Sequence, residues 1–335
     1  MDETRLVPFV AFRNFLVRNF SVFQYLEGTK EVLLQVLIDS LIYSSELALL
    51  AIGVTMVYGA LRFPNFAHVE FATLGAYLAF VLSAGLGAPL YVALLIAAVM
   101  VGVVGVGIDL AVFRKLRQTS PILLMIASFG IGIALREAIR AIWGTSPVFY
   151  PLPLQRPLQL WGDMSATPVQ IAIILLAAVC VYGFHLLLNR TKLGIAMRSL
   201  ADNPNLAEAS GINTERIIRS VWLIGAGMAG LGGVMIGLDT QVHPNMGFAI
   251  IIPVFCAAIL GGIGNPYGAM LGALVVAFAQ NVGLAIDWAP LASILGWSGE
   301  GGLYIPTGYK AAIPFGLLIL CLLLRPQGLM GDPNR

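Results

Sequence analysis

The sequence is dominated by long, mainly apolar runs, including those over residues 89–112, 121–143 and 168–188. Runs of about 17–25 residues have the length that an α-helix needs to cross a bilayer. In lipid every backbone polar group must find a partner within the protein, so only helices or a closed barrel can span it. Barrel strands alternate over segments of about ten residues, unlike these runs. The chain, 59% hydrophobic and 11% charged, is therefore predicted to be an all-α polytopic membrane protein with about eight or nine transmembrane helices.

Two of the predicted helices are interrupted by clusters of Gly, Pro and Asn. The segments ALRFPNFAHVEFATLGAYLAFV and LGGIGNPYGAMLGALVVAFAQN each combine such a cluster with an LGA helix start, which makes a faint internal repeat. We therefore predict discontinuous helices near residues 60–70 and 261–268. Broken helices in corresponding positions of two halves are typical of a transport path.

Polar side chains at these breaks are candidates for lining that path. Irregular backbone inside a membrane is tolerated only where protein buries it or where it lines a water-filled cavity. Polar groups in such a place are functional candidates for the same reason. The alternative is that they only satisfy the free N–H and C=O groups of the broken helix, and both roles can coexist. The candidates are Asn65, His68, Glu70 and Asn265.

Asp39 and Glu46 are further candidates for the path. They are seven residues apart in the first predicted span, which places them on nearly the same face of a helix. They either line the path or hold helices together. Asp109 and Asp239 lie near span ends, where a solvated or capping role is expected. The charges predicted to form an interfacial cluster at the outer end of the fourth span are Arg136, Glu137 and Arg140.

The longest polar interruption, residues 189–219, carries the densest cluster of positive charge in the chain. It also spells out a short helix, because Asn203 suits the cap and Pro204 the first helical position. The residues LAEAS favour helix, and Gly211 suits a left-handed stop. A short, capped, basic helix at a membrane surface is suited to contact with a soluble protein. The basic residues of this segment are Arg190, Lys192, Arg198, Arg216 and Arg219.

The orientation follows from the excess of basic residues in cytoplasmic loops. If 189–219 is cytoplasmic, the FRKLR loop, Arg62 and the C-terminal tail are cytoplasmic too, and the Pro-rich loop 144–168 is external. The N-terminal stretch 5–27 mixes aromatics with arginines at near-helical spacing. Since mid-segment arginines are costly in a bilayer, we predict an interfacial amphipathic segment over 1–31, with a span as the alternative, and a single transmembrane domain over 32–331.

The sequence offers no sign of an enzyme. A phosphate-binding Walker A loop requires Gly-Lys, and no lysine of this chain follows a glycine. The three histidines and three cysteines lie singly, without the spacing of metal ligands or of a redox pair. We expect neither a metal nor a cofactor, and the net charge of +2 gives no indication of nucleic-acid binding.

An ordered series of motifs resembles the LivH-type permease subunits of bacterial ABC importers for branched-chain amino acids and related solutes. The motifs include NFAHVEFATLGAYLA, PILLMIASFGIGI, GIAMRSLADNPNLAEASGIN, AGMAGLGGVMIG and ILGGIGNPYGAMLGAL, within about residues 33–331. The resemblance implies a multi-pass inner-membrane protein that pairs with a LivM-type permease, two cytoplasmic ATPases that bind ATP and a periplasmic solute-binding protein. It also implies an ATPase-coupling helix formed by Arg198, Asn203, Pro204, Glu208, Gly211 and Ile212.

Two departures from the family pattern leave the transported solute open. Val69 stands where the family usually has glycine, which stiffens the first break. Glu46 stands where the family has a small or hydroxylated residue, and its carboxylate suits a more polar or cationic solute. Amino acids, urea and short amides all remain candidates, as do pairing with a second copy or with a different permease. The alternative function is a self-sufficient secondary transporter or channel with Asp39, Glu46 and Glu70 as an ion relay.

Overall fold

The computed structural model describes residues 7–153, 155–161, 164–286, 288 and 303–331, with 7–33 and 161 as backbone only. Its described part is built from α-helices and one small hairpin. The helices are α1 Val7–Leu61, α2 His68–Phe80, α3 Leu90–Ile108, α4 Pro121–Trp143, α5 Pro168–Arg190, α6 Lys192–Asp202, α7 Pro204–Ala209, α8 Thr214–Asp239, α9 Met246–Ala249, α10 Ile251–Gly261, α11 Pro266–Ala285 and α12 Ala312–Leu324.

Eight helical stretches in the described residues are long and apolar enough to cross a membrane. This confirms the prediction of an all-α polytopic protein. A turn of π-helix at Val81–Gly85 carries α2 to 18 residues, and another at Asp109–Phe113 extends α3, which already has 19. The predicted span near 248–263 is different, because it consists of the short helices α9 and α10, and α10 has only 11 residues.

The N-terminal segment forms one continuous helix with the first span. Helix α1 runs through 55 residues without a break at residue 31, where we predicted a boundary. Its apolar, spanning part is Leu34–Leu61. Whether 7–31 lies on the membrane remains a prediction, as does the division of the chain at residue 31.

Several helices begin with the same local pattern, a polar cap followed by proline at the first helical position. The cap oxygen accepts a backbone N–H that has no partner within the helix, and proline has no N–H to satisfy there. The Thr167 cap is reinforced by Gln170, whose side chain accepts the Thr167 N–H at 2.9 Å. The four cap–proline pairs are Ser120–Pro121, Thr167–Pro168, Asn203–Pro204 and Asn265–Pro266.

Helix α8 is the centre of the bundle, and small residues let its neighbours approach it closely. A Cβ added to Gly75 of α2 would lie 2.5 Å from Gly230 of α8, and one added to Gly102 of α3 would lie 2.5 Å from the Leu223 carbonyl oxygen. The small residues of the segment GAGMAGLGG in α8 let its neighbours approach in this way. Trp222, fully buried on the same helix, stacks on a phenylalanine ring at 5.2 Å.

The loop predicted to be external folds over the end of the bundle remote from 189–219. Its strands β1 (Leu158–Trp161) and β2 (Met164–Ala166) form an antiparallel hairpin. The Gln35 side chain exchanges two 3.1 Å hydrogen bonds with the Ser165 backbone, which fixes the hairpin on α1. The Tyr150 hydroxyl donates to the Ala76 carbonyl at 2.9 Å, and burial raises the pKa of this phenol.

Candidate functional site

The first helix break lies where the sequence predicted it, between Leu61 and His68. Arg62 turns the chain out of α1 with φ of +58°, an uncommon conformation for a residue other than glycine. Asn65 Oδ1 accepts the Ala67 N–H at 3.2 Å, and the Phe66 N–H donates to Ser128 Oγ at 3.0 Å. Two backbone N–H groups of the break therefore have side-chain acceptors, and one of these acceptors, Ser128, belongs to another helix.

Glu70 is buried just after this break and forms an ion pair with Arg136 of α4. Arg136 donates to Glu70 Oε1 from Nε at 3.0 Å and from Nη2 at 2.6 Å. The Glu70 side chain is 1% exposed and the Arg136 side chain is 15% exposed. The guanidinium also lies 4.3 Å from the centre of the Phe248 ring. Our assignment of Arg136 to an interfacial cluster was wrong, because a carboxylate buried in a membrane protein requires a charged partner.

Helix α4 meets the first break along a single face. Ser128, Gly132 and Arg136 follow each other at intervals of four residues, which align on a helix. Gly132 has no side chain to hold the break away, and a Cβ there would already lie 3.4 Å from the Ala67 Cα. Arg140, next on this face, bonds Glu137 and Asn245 instead, both by exposed contacts. This spacing was the sequence signal that could have identified Arg136.

His68 is buried completely between α1, α2 and α8. Its ring occupies space left by two glycines, since a Cβ on Gly53 would collide with the imidazole and one on Gly225 would lie 3.6 Å from it. Asn65, at 1% exposure, and His68 thus lie within the protein beside the break. Their location is compatible with a role in shaping the break, which was the alternative considered from the sequence.

The second break, between Gly261 and Pro266, is closed by backbone geometry and by the C-terminal tail. Gly262 and Gly264 have φ of +109° and +90°, values that favour glycine. Asn265 Oδ1 caps α11 by accepting from two backbone N–H groups at 3.1 and 3.2 Å. Its Nδ2 donates to the Met330 carbonyl at 3.1 Å, and the Leu329 N–H donates to the Leu260 carbonyl at 2.7 Å.

The two breaks meet at one end of the bundle around a space that we call the inner cavity. It has a volume of about 480 Å³, and Arg62, Ala201 and Asn265 contribute to its wall. A Cβ on Gly59, just before the first break, would lie 3.8 Å from the Gly264 carbonyl oxygen in the second. Of the predicted path residues, Asn265 lies on the wall of this inner cavity.

The 189–219 segment contains two helices where we predicted one. Helix α6 was missed, although Thr191 caps it by accepting the Gly194 N–H at 3.0 Å. Helix α7 starts as predicted, with Asn203 accepting the Leu206 N–H at 3.1 Å. It also stops as predicted, because Gly211 has φ of +83°. The Ile212 N–H then donates to the Ala207 carbonyl at 3.1 Å, and the Gly211 N–H donates to the backbone carbonyl of Glu208.

This segment is connected to both breaks by side-chain hydrogen bonds. Arg62 Nη2 donates to the carbonyl of Ala201 in α6, which joins the segment to the first break. Arg198 donates to Asn189 Oδ1 at 3.1 Å, and Asn189 donates to the Tyr267 hydroxyl at 2.6 Å. Tyr267 follows the Asn265 cap, so this second connection reaches the second break.

Asp39 and Glu46 lie at the other end of the bundle and line one further space, the outer cavity, of about 650 Å³. Its wall also includes Asp239 and Lys310. Asp39 is exposed and accepts from Gln35 at 3.0 Å, whereas Glu46 is only 3% exposed. Asp239, predicted to be solvated, is exposed and accepts from Gln170 Nε2 at 3.0 Å.

Asp109 has a different environment from the one predicted. It is completely buried in the π-helical turn after α3 and forms a bidentate pair with Arg117 at 2.8 and 2.6 Å. Arg117 also contacts Glu215 at the start of α8. The solvated or capping role was therefore wrong, because the FRKLR segment continues the same helix through Leu116 and the Arg117 side chain at its end reaches back to Asp109. Among the described residues, no group of three or more His, Cys, Asp or Glu is placed to hold a metal ion.

Comparison with known proteins decides the family. Residues 36–322 match the family described as the permease component of the branched-chain amino acid transport system. The chain belongs to this family. The permease is 33% identical to the high-affinity branched-chain amino acid transport system permease protein BraD of Pseudomonas aeruginosa, over 90% of this chain and 96% of that protein. The comparison with solved structures found no significant match.

Two further relatives show the same extent of similarity. The high-affinity branched-chain amino acid transport system permease protein LivH of Escherichia coli is 30% identical, over 90% of this chain and 96% of that protein. The probable branched-chain amino acid transport permease protein LivH of Methanocaldococcus jannaschii is 30% identical, over 88% and 92% respectively. The resemblance noted from the motifs is confirmed, and the permease spans nearly the whole length of these relatives.

Proposed function

We propose that this chain is the transmembrane permease subunit of an ATP-driven importer that carries amino acids or related small polar solutes into the cytoplasm. Membership of the permease family supports this function. The single structural observation that carries it is the connection of the 189–219 segment to both helix breaks. A movement of that surface segment reaches the inner cavity through Arg62 on one side and through the Arg198–Asn189–Tyr267 hydrogen bonds on the other.

We assign the solute path to the two cavities at opposite ends of the bundle. Asp39 and Glu46 line its outer end, and Asn265 lines its inner end. Asn65, His68 and Glu70 act beside the path by holding the shape of the first break, since all three are buried and packed against neighbouring helices. In this assignment the break is a joint between helices, and the cavity side chains contact the solute.

The coupling surface is the short helix α7 together with its stop. Leu206 projects from it with 64% of its surface exposed, which makes it a candidate apolar knob for a groove in an ATPase. The neighbouring Ile195 of α6 is 53% exposed and lies on the same segment. Neither apolar residue was selected from the sequence. The residues proposed to support this contact are Arg198, Asn203, Pro204, Glu208, Gly211 and Ile212.

The proposed partners follow from this division of labour. Two cytoplasmic ATPases supply the ATP sites, a LivM-type permease completes the membrane part, and a periplasmic binding protein delivers the solute. This chain itself uses no cofactor in the proposal, and it resides in the bacterial inner membrane with 189–219 on the cytoplasmic side. The excess of basic residues around that segment supports the orientation.

The test is whether transport depends on the partners. The full complex is reconstituted in proteoliposomes, with the binding protein on the side of the membrane opposite the ATPases. Labelled amino acid should cross the membrane only when ATP is available to the ATPases. Liposomes containing this chain alone should show no uptake under an imposed proton or sodium gradient. Gradient-driven uptake by the isolated chain would contradict the proposal and favour the secondary carrier. The family membership does not favour that alternative.

A further inference from the structure

Three carboxylates are buried in the membrane-spanning part of the described structure, and one of them differs from the other two. Glu70 is paired with Arg136, and Asp109 is paired with Arg117. Glu46 is buried to the same degree, at 3% exposure, but forms no ion pair with any described residue. A carboxylate withdrawn from water in this way requires a positive or hydrogen-bond-donating partner.

Glu46 lies on the wall of the outer cavity, together with a second acceptor that lacks a donor. Within the described residues, neither Glu46 Oε1 nor Gln280 Oε1 has a hydrogen-bond partner. Gln280 is 1% exposed, and its own amide N–H₂ group is used by the Lys310 carbonyl at 2.9 Å. Two residues that line one cavity, each with a buried oxygen that lacks a donor, are complementary to a ligand that donates hydrogen bonds.

The charges around the cavity favour a cation. Asp39 and Asp239 add two exposed carboxylates to that of Glu46. Lys310 supplies an ammonium among the described lining residues, and it lies 4.6 Å from the centre of the Tyr43 ring. This ammonium can receive the α-carboxylate of an amino acid, and one carboxylate can receive its α-ammonium. Negative charge then remains for a second cationic group.

We infer that the outer cavity binds the cationic side chain of a basic amino acid, with Glu46 and Gln280 as its acceptors. This inference rests on the proposed function, because it takes the cavity for the outer end of an import path. It differs from the substrate class in the names of the relatives, which are permeases for branched-chain amino acids. It assigns to Glu46 the ligand-derived partner that the described protein does not provide.

The charge of the cavity can be measured without any ATPase. A single reactive cysteine is introduced as Thr240→Cys on the exposed wall of the cavity, in a chain with Cys180→Ser and Cys321→Ser. Cationic and anionic methanethiosulfonates of similar size are then compared for their rate of reaction. The matched control is Ser146→Cys in the exposed outer loop. We expect the cationic reagent to be favoured by about tenfold or more at position 240 relative to the control.

The ligand is tested by protection in the same membranes. L-arginine should slow modification of Thr240→Cys at concentrations where L-leucine has little effect, and adding Glu46→Gln should remove the difference. Equal protection by the two amino acids, protection by L-leucine alone, or absence of cationic preference would each overturn the inference. If Glu46→Gln lowers the amount of folded protein, the arginine–leucine comparison in the unsubstituted cavity still decides. If arginine protected the cavity but the full complex showed no ATP-driven uptake, the proposed function would be contradicted and the inference about the cavity would not. The two failures are therefore distinguishable.

Discussion

The two helix breaks are similar in sequence and are closed in different ways. The first break is turned into the bundle, and a helix distant in sequence supplies its partners, with Ser128 for a backbone N–H and Arg136 for Glu70. The second break is closed by two glycines with positive φ, the Asn265 cap and the C-terminal tail. One break depends on charge complementarity between helices, and the other depends on local backbone conformation.

The difference predicts which kind of substitution each break is sensitive to. Removal of a charge should damage the first break most, because its remaining partner would be left buried and unpaired. Removal of a glycine should damage the second break, because its conformation is costly for residues with a Cβ. Comparing the removal of a charge at the first break with the replacement of a glycine at the second tests this contrast.

The largest effect is expected for Arg136→Ala. It leaves the Glu70 carboxylate without its ion pair, which should lower the free energy of unfolding by about 3–5 kcal/mol. The matched control is Arg140→Ala, one turn later on the same helix, where the pair with Glu137 is exposed and should be worth less than about 1 kcal/mol. The measurement is the thermal midpoint and denaturant unfolding in detergent. Equal effects for the two variants would mean that burial of the Glu70 pair is unimportant for the first break.

Combining Arg136→Met with Glu70→Gln provides a second control on the first break. The double variant removes both charges, so it should recover a large part of the stability lost in Arg136→Ala. In transport assays, Glu70→Gln alone should lower uptake without preventing assembly. A double variant less stable than Arg136→Ala would show that the two side chains act independently.

An intermediate effect is expected at the second break. Gly264→Ala meets open space but must adopt φ of +90°, which should cost about 1–2 kcal/mol. Gly262→Ala should cost more, because its Cβ would also lie 2.7 Å from the Gly331 backbone nitrogen in the tail. Gly107→Ala, in an open position on α3, is the control and should be neutral or slightly stabilising. Equal stabilities of the Gly262 and Gly264 variants would exclude the tail as part of the closure.

The smallest effect is expected where the first break leaves α1. Arg62→Ala loses the contact to the Ala201 carbonyl and retains a positive φ, whereas Arg62→Gly loses the contact and relieves the backbone. Unfolding experiments should therefore find the glycine variant more stable than the alanine variant by about 1 kcal/mol. Both should weaken the coupling of ATP hydrolysis to transport to the same extent. If either variant kept full coupling, the Arg62 side chain would not be the feature that carries it.

Local signals in the sequence predicted much of the fold. The apolar run at about 121–143 was predicted as a span, and the helix observed there is Pro121–Trp143, with Ser120 and Pro121 at its start and Gly144 after its end. Both breaks were predicted from Pro, Gly and Asn within apolar runs. These features succeed because a cap, a proline or a glycine acts on its immediate neighbours in the chain.

Tertiary partners could not be predicted in the same way. Arg136 is 66 residues from Glu70, and nothing local to either residue specifies that their helices meet. Asp109 and Arg117 are only eight residues apart, yet their contact requires a π-helical turn that the sequence does not indicate. The start of helix α6 is a different case, because its Thr191 cap is a local signal that the sequence does contain.

The central claim is that the 189–219 segment couples ATP hydrolysis to the two breaks, and one substitution tests it most directly. Gly211→Val enters open space but must keep φ of +83° at the stop of α7, whereas Gly183→Val enters equally open space within α5. The measurement is ATP hydrolysis stimulated by loaded binding protein in the reconstituted complex. We predict that Gly211→Val lowers the stimulation by on the order of tenfold, through strain of about 1–2 kcal/mol, with normal membrane levels and with Gly183→Val unaffected. Full stimulation in the Gly211→Val complex, with its ATPases still bound, would contradict the coupling role of this segment.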